Sequence, residues 1–149
     1  MFEGHCDRWN YLFDFSFKLI ALGLKEYFLW NAQVVGCSID PRPSSRDEWF
    51  RSHYPTDDGT GCFCHTVNGA NCHAMCASNF RSYEVRPEYG LNNVTVQCSP
   101  NNYVFGCGVR PLQGGSRETF RTFTASSIDS CTCYDKNGVT CYAICGQFA

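Results

Sequence analysis

Apolar and polar positions alternate with a period of two in several short runs, the spacing of half-buried strands. Val94-Thr95-Val96 is one such run. Tyr11, Phe13, Phe15, Phe17 and Leu19 alternate with Leu12, Asp14, Ser16 and Lys18, which predicts a strand with one aromatic face. Residues 119–125, rich in Thr and Phe, suit another, because β-branched and aromatic side chains pack well on a pleated surface. Residues 19–29 fit a short helix as well as a strand. The most apolar stretch, residues 19–24, ends at Lys25 and Glu26 and is too short to span a membrane.

Turn chemistry agrees with a β-rich chain. Asn68-Gly69 and Asn137-Gly138 are strong hairpin signals. Cys64 and Cys72 lie symmetrically about Asn68, and Cys133 and Cys141 about Asn137, so each pair is expected to face across an antiparallel ladder, near enough to bridge. Cys62-Phe63-Cys64 and Cys131-Thr132-Cys133 each put two thiols on one strand face.

The two turns belong to a repeat. Segment 62–76 reads CFCHTVNGANCHAMC and segment 131–145 reads CTCYDKNGVTCYAIC, with every cysteine at the constant offset of 69 (131 − 62). Val35-Gly36-Cys37-Ser38-Ile39 parallels Phe105-Gly106-Cys107-Gly108-Val109. Ser45-Arg46-Asp47 and Phe50-Arg51 parallel Ser116-Arg117-Glu118 and Phe120-Arg121. Agreement of spacing and residue type at this many positions predicts two tandem copies of one module. The first spans residues 1–80 and the second 92–149, joined by a cysteine-free linker, 81–91, that holds Pro87 and Gly90. Cys98 precedes Cys107 by nine positions (107 − 98), but the matching place in the first copy falls near Phe28. Its sixth cysteine is instead Cys6, so residues 1–33 read as an aromatic N-terminal extension.

Composition narrows the class. Twelve cysteines in 149 residues approach the density of a disulfide scaffold. Twelve Lys+Arg against 14 Asp+Glu leave a net charge of −2, with no basic field to hold nucleic acid or an anionic membrane. Aromatic residues at 15% supply apolar area, which excludes a disordered chain. An even cysteine count fits either an oxidised secreted scaffold or a metal-binding intracellular protein. The opening Met1-Phe2-Glu3-Gly4-His5-Cys6-Asp7-Arg8 is acidic and polar, unlike a secretion signal. The expectation is a secreted chain whose signal lies upstream of Met1.

The second copy resembles the cysteine-rich β-modules of resistin-like proteins and of proprotein-convertase C-terminal regions. The resemblance rests on Cys98, Gly106-Cys107, a variable loop, Cys131 and Cys133, and the Ala143-Ile144-Cys145 ending; it covers about residues 94–146 and, less fully, 34–77. It departs where that family ends in adjacent cysteines, since Cys141 and Cys145 are four apart. The resemblance implies small disulfide-stapled antiparallel β-sandwich (jelly-roll-like) modules that act through protein contacts without catalysis. It also implies the pairs Cys107–Cys131, Cys98–Cys145 and Cys133–Cys141, repeated as Cys37–Cys62, Cys6–Cys76 and Cys64–Cys72. It carries over no binding residue.

Other chemistry is weaker. Cys62, Cys64, His65, Cys72, His73 and Cys76 contain enough thiolate and imidazole for zinc. The second copy keeps every cysteine but has Tyr134 and Tyr142 in place of the histidines, so mutual bonding accounts for both copies and zinc for one. A Cys–His nucleophile needs a free thiol, and no Gly-x-Ser-x-Gly motif occurs, so no enzyme is expected. Asp57-Asp58-Gly59-Thr60-Gly61 could offer calcium its oxygens but has no counterpart in the second copy. Asn93-Val94-Thr95 is an N-glycosylation sequon. The expected function is that of a secreted structural or adhesive protein without cofactor or membrane span. It would present loops 38–61 and 108–130, and would self-assemble by docking the strand of Tyr11, Phe13, Phe15, Phe17 and Leu19. The alternative is an extracellular binding module of the signalling, defence, toxin or lectin kind.

Overall fold

The computed structural model describes residues 2–6, 32–41, 50–66, 70–112 and 122–149. Among these residues the regular structure is all β, in antiparallel pairs. The strands are β1 (Phe2–His5), β2 (Gln33–Pro41), β3 (Phe50–Pro55), β4 (Gly61–Thr66), β5 (Ala70–Ala77), β6 (Phe80–Gln97), β7 (Tyr103–Pro111), β8 (Thr122–Ser127) and β9 (Ser130–Phe148). One sheet runs β1-β4-β3-β7-β9-β6, with β8 also on β9, and β2 pairs with β5 in a second.

β6 and β9, of 18 and 19 residues, pair from Phe80↔Phe148 to Gln97↔Ser130. Residues 81–91, expected to be a short linker, are strand within β6 and pair with β9. Pro87 is tolerated there because, among the described residues, β6 has a neighbour on one side only, and an edge position can do without one N–H donor.

Asn137-Gly138 does not make the expected hairpin. β9 runs through it as one strand that turns a corner: Leu91 of β6 faces Lys136, Asn137 and Gly138 between the pairs Gly90↔Val139 and Asn92↔Asp135. Eight extended residues would separate Cys133 from Cys141 by roughly 26 Å, yet their Cα atoms are 5.5 Å apart. The tight hairpin turn needs φ > 0 at both central residues. Gly138 supplies this, at +100°, but Asn137 does not. The Asp135 carboxylate instead accepts the Asn137 N–H at 2.9 Å. In the first copy residues 67–69 lie outside the described residues, and the strands flanking them fall in different sheets, β4 between β1 and β3 and β5 beside β2.

Cys6 is not out of place. β1 lies on β4 with Phe2↔Cys64 and Gly4↔Cys62, as Val94↔Cys133 and Val96↔Cys131 lie on β9. Cys6 N–H then donates to the Thr60 carbonyl at 2.9 Å, and Cys98 N–H to that of Asp129 at 2.8 Å. Cys6 is the counterpart of Cys98, so residues 7–31 interrupt the first copy between β1 and β2 instead of extending it. The repeat continues in Val34 N–H to Gly59 O and Val104 N–H to Ile128 O, and in register shifts at Val34/Gly36 and Val104/Gly106.

Period-two alternation places the core. Val94 and Val96 are buried while Thr95 is exposed, and they join Val109, Val139 and the second copy's cysteines in one cluster. A second cluster combines Val34, Cys62 and Ala74 with Ile144, so β9 contributes to the core of both copies. The halves meet at His53↔Val109, at Tyr54 stacked on Tyr142 with centroids 5.2 Å apart, and at Gly106, where a Cβ would stand 2.6 Å from the Val35 carbonyl oxygen.

Candidate functional site

The chemistry of the chain is concentrated in its cysteines. The strands bring together Cys6–Cys76, Cys37–Cys62, Cys64–Cys72, Cys98–Cys145, Cys107–Cys131 and Cys133–Cys141, with Cα separations of 5.5–5.8 Å and no free cysteine. These are the pairs that the resemblance implies. Cys62, Cys64, Cys131 and Cys133 have zero exposure, because Cys-x-Cys puts both sulfurs on the inward face of β4 and β9. Cys64–Cys72 joins β4 to β5, strands of different sheets, and Cys133–Cys141 spans the corner of β9.

Bonded cysteines offer no thiolate. No group of three or more His, Cys, Asp and Glu suited to a metal ion occurs among the described residues. His73 is exposed on β5. Its counterpart Tyr142 is buried against Tyr54, over whose ring the Arg110 guanidinium lies at 5.5 Å. The histidine-to-tyrosine difference thus marks where the second copy packs against the first.

The Asp57–Asp58 turn is held by its own donors. Asp58 Oδ1 accepts Thr56 Oγ1 at 2.6 Å, Thr60 Oγ1 at 2.8 Å and Thr60 N–H at 3.0 Å. The bond from Thr56, followed by those from Thr60, holds the carboxyl down to about 2. Gly59, at φ +70°, sits where a Cβ would stand 2.6 Å from Tyr83. Tyr83 donates to the Val34 carbonyl at 2.8 Å, and burial, then the Asp58 charge, pushes its hydroxyl up. The counterpart turn uses Ser127, which donates to Asp129.

Glu84 forms a latch that no local sequence pattern signals. Glu84 accepts Ser99 N–H at 2.7 Å, Ser99 Oγ at 2.8 Å and Asn102 Nδ2 at 2.9 Å, and Arg86 Nη1 lies 3.5 Å away. Burial would raise its pKa, but the bonds from Asn102 and Ser99 prevail and lower it. The latch ties the first half of β6 to the turn after Cys98. Fifteen residues of separation (99 − 84) hide it from any local pattern.

Asn93 is exposed on β6, and the sequon hydroxyl of Thr95 bonds Thr132 Oγ1 at 2.9 Å. Tyr11, Phe13, Phe15, Phe17 and Leu19 lie outside the described residues. So do residues 42–49 and 113–121, which make up part of the presented loops 38–61 and 108–130; the rest of those loops holds β3, β8 and the ends of β2, β4, β7 and β9. Tyr89, Leu91 and Leu112 are exposed near the β6–β9 corner, with Leu112 and Leu91 nearest to Gly138. Among the described residues no helix is long and apolar enough to cross a membrane. No family model, curated protein or solved structure matches the chain.

Proposed function

We propose that this chain is a secreted structural or adhesive protein, built of two tandem disulfide-stapled β-modules of sandwich type and self-associating in an extracellular assembly. The observation that carries this reading is the pairing of all twelve cysteines in six bridges. Such bridges persist in oxidising compartments and are reduced in the cytosol. A module of this size buries too little core to hold together without staples.

Expression through a secretory route, followed by intact mass measurement without reductant, tests the reading. The expected mass lacks twelve hydrogens, two per bridge, and carries an N-glycan that Asn93→Gln removes. Free thiols after secretion, or a bound metal mass, would overturn it.

A further inference from the structure

The repeat supplies an internal comparison for one strand. In the second copy the last part of β9 lies between two neighbours. On one side Val104↔Cys145 and Cys107↔Ala143 join it to β7; on the other Glu84↔Cys145 and Arg86↔Ala143 join it to β6. In the first copy β5 holds the same position beside β2, with Cys37↔Ala74 matching Cys107↔Ala143. On its far side, among the described residues, no strand takes the place that Phe80–Gly90 takes in the second copy.

Burial records the difference. Cys141 and Cys145 have zero exposure, whereas their counterparts Cys72 and Cys76 are half-buried, although Ala74 and Ala143 between them are buried in both copies. The inner cysteines do not differ between the copies: Cys62, Cys64, Cys131 and Cys133 all have zero exposure. Among the described residues the difference in cover thus falls on β5 and not on β4. A third strand there would complete what the second copy completes within its own chain.

We propose that β5 is a pairing edge that takes β5 of a second copy of this chain, antiparallel about a two-fold axis, joining the two β2-β5 sheets into a continuous β2-β5-β5-β2 sheet. The composition of the edges selects this partner. β5 reads Ala-Asn-Cys-His-Ala-Met-Cys-Ala, with no formally charged residue and no proline. The outer edge of β6 carries Arg81, Glu84, Arg86, Glu88 and Pro87, the devices that keep an edge strand from adding a neighbour. β1 has only four residues, β2 ends in Asp40 and Pro41, and β8, uncharged as well, has six residues against the eight of β5. An unguarded eight-residue edge offers its N–H and C=O groups as a template for another strand. A second copy presents the same uncharged edge, and an antiparallel pair of identical strands obeys two-fold symmetry. The contact is self-complementary, so it closes as a dimer; a longer assembly needs a further contact elsewhere. The proposal rests on the self-association in that reading and names the surface that carries it, while the pairing itself requires only the oxidised fold.

Sedimentation of the oxidised full chain over a concentration series tests it, with hydrogen exchange of amides 70–77 measured at both ends of the series. The expected result is a reversible dimer whose β5 amides gain protection as concentration rises. Asn71→Lys with His73→Lys sets four like charges on one face of the joined edge (two per copy) and should weaken the dimer tenfold or more. Glu88→Lys on β6 should leave it unchanged. A monomer at every concentration, with all six bridges formed, overturns the dimer and the self-association together and leaves only the secreted, disulfide-stapled part of the reading standing. Protection of β5 that does not depend on concentration overturns it too, by showing that the chain's own segment covers the edge. So does a dimer indifferent to the paired lysines, or one that Glu88→Lys dissociates.

Discussion

Asp58 shows how one side chain can fix a turn. Two threonine hydroxyls and an amide converge on a single carboxylate oxygen, which leaves the group ionised well below the ordinary range. A carboxyl depressed from 3.8 to about 2 contributes stability that is fully present above pH 4 and is lost as pH falls toward 2. The turn β3–β4 should therefore loosen over that window and not near neutrality. An NMR titration following the Thr60 amide is expected to show its transition near pH 2, and Asp58→Asn should move or abolish it. In the sequence the turn is an acidic Gly-rich stretch whose oxygens could serve calcium. Only the folded turn brings Thr56 and Thr60 to one oxygen of that carboxylate.

At the scale of elements, the corner of β9 matters most. A local Asn-Gly signal is compatible with both a hairpin and a bend in a continuous strand, and the choice falls to the partners of the flanking residues. Here β6 accompanies β9 around the corner, and Cys133–Cys141 holds the two arms together. Bridge removal should reveal the hierarchy of staples. Cys133 and Cys141 are 8 apart in sequence, Cys98 and Cys145 are 47 apart. Chain-entropy reasoning assigns the short loop about 2.5 kcal/mol and the long one about 4 kcal/mol. The double variant Cys98→Ala/Cys145→Ala is thus expected to lower the urea midpoint more than Cys133→Ala/Cys141→Ala. The opposite order would mean that the corner staple acts mainly by shaping the native strand. The pairing β6–β9 also explains why 81–91 looked like a linker. An edge strand holding Pro87 and four charged residues lacks the alternation of a half-buried one.

Across the whole molecule, the two copies are joined by close backbone approach as much as by apolar packing. Gly106 meets Val35 and Gly36, its own counterpart region, and Gly108 meets Tyr54 and Pro55. A Cβ on Gly106 would press on a carbonyl oxygen that belongs to a paired strand and cannot rotate away. Gly106→Val should destabilise by about 1–3 kcal/mol, the usual range for overpacking, with the loss read from urea unfolding. Unchanged stability would show that the halves separate freely. Tyr142 on Tyr54 and Ile144 among Val34, Cys62 and Ala74 belong to the same junction.

Spacing in the chain was enough to establish the repeat, the inward faces of Cys-x-Cys and of Val94-Thr95-Val96, and a β-rich class. Each of these depends on period and residue type within a few positions, which linear order preserves. The position of Cys6, the corner in place of a hairpin, the Glu84 latch and the uneven cover of β5 and β9 were settled by folding. Each depends on which distant strand lies alongside, and strands of similar pattern compete for that place on grounds of register and burial that spacing does not encode. Residues 7–31 hid the kinship of Cys6 with Cys98 by lengthening the gap to Cys37; the shared pairing of β1 and β6 with Cys62, Cys64, Cys131 and Cys133 restored it.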